Sequence, residues 1–336
     1  MKERGARIGD VAVLAGVGVG TVSRVLNGGT GVRASTRQKV LRAIQELGYH
    51  ADERGRALRA KRGNLILVLV PFFTRNLYVE ILRAIDRATP PDSGYILTVM
   101  NVESPQEKER AFALASSDTR LAGIISVSLT PPDGFAAARR TDVPLIVLDA
   151  PSEEFPAIEF DHVYGGRLGT NHLLGLGHRR IGFIGRSQDP FVRSGLRAVG
   201  YRQALVEAGV AWREEYVRVG EYSREHGLRD ALALLDLPEP PTAIFAASDL
   251  QAIGVLEAAR LRGLEVPDDL AVLGYNDMEL AEYVGLSTVR LPRDELARYA
   301  MEFLEASWAG ALARPPSPLR PTLIVRRSCG AASDGG

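Results

Sequence analysis

The chain has 336 residues, enough for two or three domains at roughly 150 each, and its 46% hydrophobic and 24% charged content is the ordinary globular mix, which excludes extended disorder. The longest purely aliphatic run, Leu65 to Val70, is far short of the ~18 residues that span a bilayer, MKERGARIGD lacks the apolar stretch of a secretory signal, and the single cysteine, Cys329, excludes a disulfide framework or cysteine-built metal site and fits a reducing cytosol. The formal net charge is zero, 41 basic against 41 acidic residues, which taken alone argues against a nucleic-acid partner.

Along the chain the balance is uneven. Residues 1–62 hold 13 Lys/Arg and five Asp/Glu, a net +8, while the remaining 274 hold 28 and 36, a net −8. Such asymmetry points to a basic nucleic-acid-binding head on another kind of body. Charge alone leaves open a chance cluster on a solvated face.

The head reads as three helices. The first covers residues 8–15, with apolar positions at Val11, Ala12, Leu14 and Ala15. Gly16-Val17-Gly18 breaks it. The second runs from Val19 to Leu26, with Val22, Val25 and Leu26 on one face, and Asn27-Gly28-Gly29 ends it. Two short helices joined by a tight glycine turn are a helix-turn-helix signature. The third starts at Ser35, where Ser35 to Gln38 form a capping box. Val40, Leu41, Ile44 and Leu47 follow at helical spacing, and Gly48 stops it. Glycines 16, 18 and 20 are no dinucleotide loop, because a helix and not a strand precedes them.

The second helix of such a motif enters the major groove by its N-terminal residues. That assigns Val19, Gly20, Thr21 and Arg24 to the groove side. Val19 suits a thymine methyl and Arg24 a guanine edge or a phosphate. Thr21 and Ser23 suit phosphate oxygens, unless they only cap or face solvent. Asn27, at the helix end, completes this set.

DVAVLAGVGVGTVSRVLNG (10–28) followed by VRASTRQKVLRAIQELGY (32–49) resembles the DNA-binding domain of the lactose-repressor (LacI) family of bacterial transcription regulators. The family usually has Ser at Gly18. Glycine is a tolerable cap, but it lacks a hydroxyl for phosphate. The resemblance implies that the segment after Tyr49, HADERGRALRA, becomes helical on operator DNA. It also implies that Leu58 wedges into the minor groove, with Arg56 and Arg59 beside phosphates. Here Ala51-Asp52-Glu53 replaces the usual Pro-Asn-Arg. The two acids favour a helix N-terminus yet approach a polyanion, and Gly55 costs about 1 kcal/mol of helix propensity. A flexible linker is the alternative reading of this hinge.

From Asn64 onward, apolar runs alternate with helical stretches: LILVLV (65–70), YILTVM (95–100), GIISVS (123–128), LIVLDA (145–150), RIGFIG (180–185), TAIFAA (242–247) and LAVLGY (270–275). Near-continuous β-branched runs are strands buried on both faces of a parallel sheet, and the alternation gives a doubly wound α/β fold. There are too many units for one small sheet, so two lobes are expected, with the ligand at the carboxyl ends of the strands. VPLIVLDAP (143–151), GGRLGTNHLLGLGHRRIGFIG (165–185) and TAIFAASDLQAIGVLEAARLRGLEVPDDLAVLGYND (242–277) resemble the LacI core, which shares the fold of periplasmic sugar-binding proteins. The resemblance runs from about residue 8 to 328. It implies crossings between lobes near residues 161, 291 and 321.

The expected architecture is therefore a small all-α helix-turn-helix head (1–50), a hinge (51–62), a two-lobed doubly wound periplasmic-binding-protein-like core (63–330) and a flexible tail (331–336). The N-lobe takes about 63–160 plus 292–320, and the C-lobe about 161–291 plus 321–330.

Strand ends supply the crevice candidates: Asp149, Ser248, Asp249, Asn276 and Asp277. Arg197 matches the family's effector-binding arginine, and Tyr78 and Tyr222 are the aromatic candidates. Asp249 reads equally well as a helix N-cap, Asp277 as a cap for the following turn, and the tyrosines as core. Asp149 and Arg197 are stronger, since a charge at a buried strand end needs a partner. The family often has Asp at Asn276 and an aromatic at Leu77. An amide donates as well as accepts, so the effector is expected to differ from the family's commonest sugars.

The five histidines (His50, His162, His172, His178, His226) form no metal-ligand pattern, and His172 and His178 read as ordinary helix-end residues. There is no P-loop, G-x-S-x-G or H-E-x-x-H. No enzyme, metal or cofactor is expected. The tail SCGAASDGG has no heptads, which favours a homodimer over a coiled-coil tetramer, reading a near-palindromic operator. The expected protein is a cytoplasmic, nucleoid-associated repressor of the LacI type, controlled by a small carbohydrate effector and without membrane contact. A regulator governed by a protein corepressor, a sugar-binding transport receptor and an α/β enzyme are the alternatives.

Overall fold

The structure, a computed structural model, describes residues 8–26, 32–47, 63–185, 195–311 and 315–330. Contacts divide the chain into two units, Met1–Gly63 and Asn64–Gly336.

The first unit carries α1 (Ile8–Ala15), α2 (Val19–Leu26) and α3 (Ala34–Glu46). Gly16 takes a left-handed φ of 65°, open to glycine at no steric cost. Val17 N then donates to Ala12 O at 3.0 Å and Gly16 N to Val13 O at 3.2 Å, the paired bonds of a Schellman stop. The Gly18 carbonyl accepts from Thr21 N and Val22 N at 2.8 and 3.2 Å, so this glycine opens α2. Val11, Val22 and Val40 are fully buried, with Ala12, Ala15, Val25 and Ala43 around them.

Three details depart from expectation. Leu14 is 46% exposed, because it lies about 100° round the helix from the Val11-Ala12-Ala15 stripe. Leu41 is exposed too; the buried stripe of α3 runs through Val40 and Ala43. The capping box at Ser35 does not form. Arg33 stands at the cap with no side-chain bond, and its carbonyl accepts from Thr36 N and Arg37 N, both at 3.0 Å. The helix thus begins before Ser35 can cap it. The readings at Asn27, Gly28, Gly29, Gly48, the hinge (Asp52, Glu53, Gly55, Arg56, Leu58, Arg59) and the tail lie outside the described residues, as do the side chains of Ser23, Arg24 and Leu26.

The second unit holds two sheets. The first comprises β1 (Leu65–Pro71), β2 (Ile96–Val102), β3 (Leu121–Val127), β4 (Leu145–Leu148) and β5 (Ala157–Ile158). It is parallel throughout, in the order β2-β1-β3-β4-β5. The second comprises β6 (Ile181–Gly185), β7 (Val217–Val219), β8 (Ala243–Ala246), β9 (Ala271–Asn276), β10 (Ser287–Arg290) and β11 (Thr322–Ile324). Its order is β11-β10-β9-β8-β6-β7, with only β11 antiparallel. Read from β7, it repeats the order of the first and adds one strand. In each sheet the winding reverses beside the first strand, which opens a ligand crevice beyond the carboxyl ends.

All seven apolar runs are strands. GIISVS and LIVLDA end early, at Val127 and Leu148, because Ser128 and Asp149 take left-handed φ angles of 52° and 54°. The helices are α4 (Asn76–Ala88), α5 (Pro105–Ser117), α6 (Phe135–Ala138), α7 (His162–Gly175), α8 (Gly195–Glu207), α9 (Arg224–Leu235), α10 (Asp249–Arg262), α11 (Glu279–Tyr283) and α12 (Arg293–Trp308).

The chain passes between lobes after β5, after β10 and before β11. The middle excursion carries α12 onto α4 and β4 of the first lobe. There Trp308 stacks on Tyr95 at 4.3 Å and its indole donates to Ala122 O at 2.8 Å. Two of the crossing segments run side by side: Asp161 N donates to Leu319 O and Leu319 N to Glu159 O, at 2.8 and 2.7 Å.

Candidate functional site

Both sheets aim their carboxyl ends at one crevice. Five non-glycine residues there hold left-handed backbone: Phe72 (φ 49°), Ser128 (52°), Asp149 (54°), Asn276 (107°) and Asp277 (53°). Such conformations cost on the order of 1–3 kcal/mol each and gather at functional sites. Here each turns the chain sharply out of a buried strand.

Of the eight crevice candidates, six line this space: Tyr78 and Asp149 from the first lobe, and Arg197, Tyr222, Ser248 and Asn276 from the second. Arg75, Asn76, Leu250 and Met278 also line it and were not singled out in the sequence. Leu77, marked there as a departure, lines it as well.

Arg197 is 2% exposed. Its Nη1 donates to the Ala247 carbonyl and, at 3.4 Å, to the Tyr222 hydroxyl; Nη2 reaches Asn276 Oδ1 at 3.5 Å. The guanidinium stacks on the Tyr275 ring at 4.0 Å, and Nε has no hydrogen-bond partner. A buried guanidinium with two bonds at the limit of hydrogen-bond length gains from a better acceptor.

Asp149 reaches across the lobes. Its Oδ1 lies 3.0 Å from His162 Nε2, and His162 Nδ1 lies 3.2 Å from the Tyr275 hydroxyl. In the sequence His162 belongs to no metal-ligand pattern. No linear motif marks its role, because its partners stand 13 and 113 residues away. Asp161 fixes the ring's place by capping α7, accepting from Tyr164 N at 2.9 Å. Tyr78 is core and lining at once, and burial raises its hydroxyl pKa well above the ordinary value. Ser248 lines the crevice and caps α10 by accepting from Gln251 N.

Asp249 does not line the crevice, and it is not the cap of α10. It is fully buried and accepts from Thr288 Oγ1 at 2.6 Å and Met278 N at 2.7 Å. It braces β10 and the turn after β9. Burial pushes its carboxyl up to about 7, against the pull of those two bonds. A raised acid favours the protonated fold, so its stabilisation is complete below about pH 4 and is lost as pH rises through 7. Asp249→Asn should flatten this profile. Relative to the variant, the wild type should lose on the order of 3 kcal/mol between pH 4.5 and 8, read as diverging melting temperatures. Parallel profiles would refute the assignment.

Asp277 caps no turn. It is buried and paired with Arg290 at 2.6 Å and Arg326 at 2.8 Å. His172 and His178 bond Cys329 Sγ and Thr242 Oγ1 at 3.1 and 3.0 Å, and burial lowers the pKa of both. Among the described residues, no group of His, Cys, Asp or Glu could hold a metal ion, and no helix is long and apolar enough to cross a membrane. In the head, Val19 and Gly20 are exposed and Thr21 is half-buried at the N-terminal end of α2.

Comparison with known proteins bears on both units. The family model for bacterial regulatory proteins of the lacI family matches residues 7–52, and that for a periplasmic binding protein-like domain matches residues 170–329. The chain is 33% identical to the HTH-type transcriptional repressor CytR of Escherichia coli K12 over 309 residues, covering 90% of each. It is 33% identical to the HTH-type transcriptional regulator CelR of Thermobifida fusca, covering 95% of this chain and 96% of that one. The lac repressor dimer bound to operator and the anti-inducer ONPF superposes with a TM-score of 0.78 at 29% identity, over 98% of this chain and 100% of that one. A CelR–cellobiose complex does so with a TM-score of 0.69 at 32% identity, over 96% and 99%.

Proposed function

This chain belongs to the LacI family of bacterial regulatory proteins, and from that premise we propose that a small molecule in the crevice controls its grip on operator DNA. It is a sequence-specific DNA-binding transcription regulator, and its relatives are regulators rather than enzymes. We take it for a repressor and not an enzyme, working in the cytoplasm as a homodimer with two heads on a near-palindromic site. In this reading the head ends near residue 50, residues 51–62 form the hinge, and the lobes take 63–160 plus 292–320 and 161–291 plus 321–330. Val19, Gly20, Thr21, Ser23, Arg24 and Asn27 read the major groove; Arg56, Leu58 and Arg59 engage the minor groove and its phosphates.

The observation that carries the effector half is convergence. Donors and acceptors far apart in sequence meet between aromatic rings in one crevice: Asp149 from the first lobe, and Arg197, Tyr222, Ser248 and Asn276 from the second. A few fixed polar groups among apolar walls is the construction of a small-molecule site, and this mixture suits the vicinal hydroxyls of a sugar or sugar derivative. Because the lining comes from both lobes, a ligand there binds one interlobe geometry better than another. Only that difference in affinity lets it shift the DNA-binding equilibrium.

Selection from a random duplex library tests the DNA half. The purified chain should enrich a near-palindrome, and affinity should fall as a power of salt concentration with a slope of about −0.9 per phosphate contact. Thr21→Ala with Arg24→Ala should abolish the enrichment. Salt-insensitive binding, or no enriched site, would contradict it.

A further inference from the structure

We propose that the crevice selects an anionic effector, a polyhydroxylated ligand bearing a phosphate or carboxylate, over the corresponding neutral sugar; this rests on the crevice being the effector site. The lining holds two guanidiniums, Arg75 and Arg197, one from each lobe, against one carboxylate, Asp149. That carboxylate already accepts from, or shares a proton with, His162 at 3.0 Å. The groups that reach Arg197 at its crevice end are an amide and a phenol, Asn276 and Tyr222, at 3.5 and 3.4 Å. No carboxylate among its bonded partners neutralises it, and its Nε is buried without a partner.

The floor behind Asn276 is balanced in charge. Arg293 donates to the backbone carbonyls of Asn276 and Asp277. Arg290 and Arg326 both pair with the Asp277 carboxylate. Three guanidiniums thus stand there among four carboxylates, Asp277, Asp249, Glu80 and Asp294. Helix α4, 13 residues long, starts at the crevice with Asn76, Leu77 and Tyr78 in the lining and no side-chain cap, so the positive end of its dipole faces the same space. A neutral sugar would leave the Arg197 guanidinium with neutral acceptors alone. An anion between guanidiniums of opposite lobes satisfies it and draws the lobes together.

Calorimetric titration of the full chain with matched probes at fixed ionic strength tests this: glucose against glucose 6-phosphate, glucose against gluconate, and inorganic phosphate alone. The anionic members should bind at least tenfold tighter than glucose, and phosphate should compete with them. Asn276→Asp, nearly isosteric, should remove the preference, and Arg75→Gln should reduce it severalfold with the fold intact by circular dichroism. Neutral probes binding as tightly as anionic ones, or no anion binding that depends on Asn276, would overturn the proposal. Phosphate bound equally by wild type and both variants would also overturn it. The two readings fail separately. A neutral sugar that releases operator DNA at concentrations as low as its anionic counterpart keeps the effector site and sinks the charge preference. An anion that binds but leaves operator affinity unchanged does the reverse.

Discussion

Arg197→Ala is expected to abolish the response to effector while leaving operator binding in its absence largely intact. The side chain is buried and its guanidinium touches Ala247 O, Tyr222, Asn276 and the Tyr275 ring. Two lost charge-assisted hydrogen bonds to a ligand, at ~1.5–3 kcal/mol each, lower affinity roughly 100-fold or more. Part of the cost falls on the fold, because the Ala247 carbonyl is left in a buried site without its donor, about 1–3 kcal/mol. Arg197→Lys should recover some stability but little affinity, since an ammonium cannot reproduce the planar fork. Titration of effector into the variant, beside operator gel shifts, separates these effects. An undiminished response in Arg197→Ala would move the effector site elsewhere.

The largest effect on stability is expected at the contact of α7 with α8. A Cβ on Gly200 would sit 2.0 Å from the Val163 carbonyl and 2.7 Å from Arg167 N. Both obstacles are backbone, so no side chain can swing aside. Gly200→Ala must push the helices apart, at a cost of about 3 kcal/mol or more. That corresponds to a melting temperature lower by roughly 6–12 °C in a domain of this size. The same displacement moves Arg197, three residues upstream on α8, so effector affinity should fall with stability. A variant that melts with the wild type would show that the helices are not packed this closely.

The fold was legible because buried parallel strands announce themselves. LILVLV and LAVLGY need no partner residues to be recognised, being apolar without alternation. The short strands were not legible. Ala157–Ile158 and Val217–Val219 exist only by adding to an edge already formed, and β10 and β11 carry polar residues that a run of apolar ones excludes. In the head, the glycine turn was legible down to Gly16, whereas Ser35 misled. A capping box is a local signal, and the helix had already begun from the carbonyl of Arg33. For the site, the ends of recognisable strands gave Asp149, Ser248 and Asn276. Asp249, next to Ser248, turned inward to Thr288 and Met278. His162 was out of reach, since its meaning depends on Asp149 and Tyr275 meeting it in space.

In the proposed function, occupancy of the crevice and occupancy of the operator are thermodynamically linked. Operator affinity of the full chain, measured by fluorescence anisotropy with and without a saturating crevice ligand, tests it most directly when repeated in Arg197→Ala. The wild type should show a change of about 5–150-fold and an equal change in ligand affinity when operator is bound, and the variant a ratio near one. A wild-type ratio of one with the crevice demonstrably filled would contradict it.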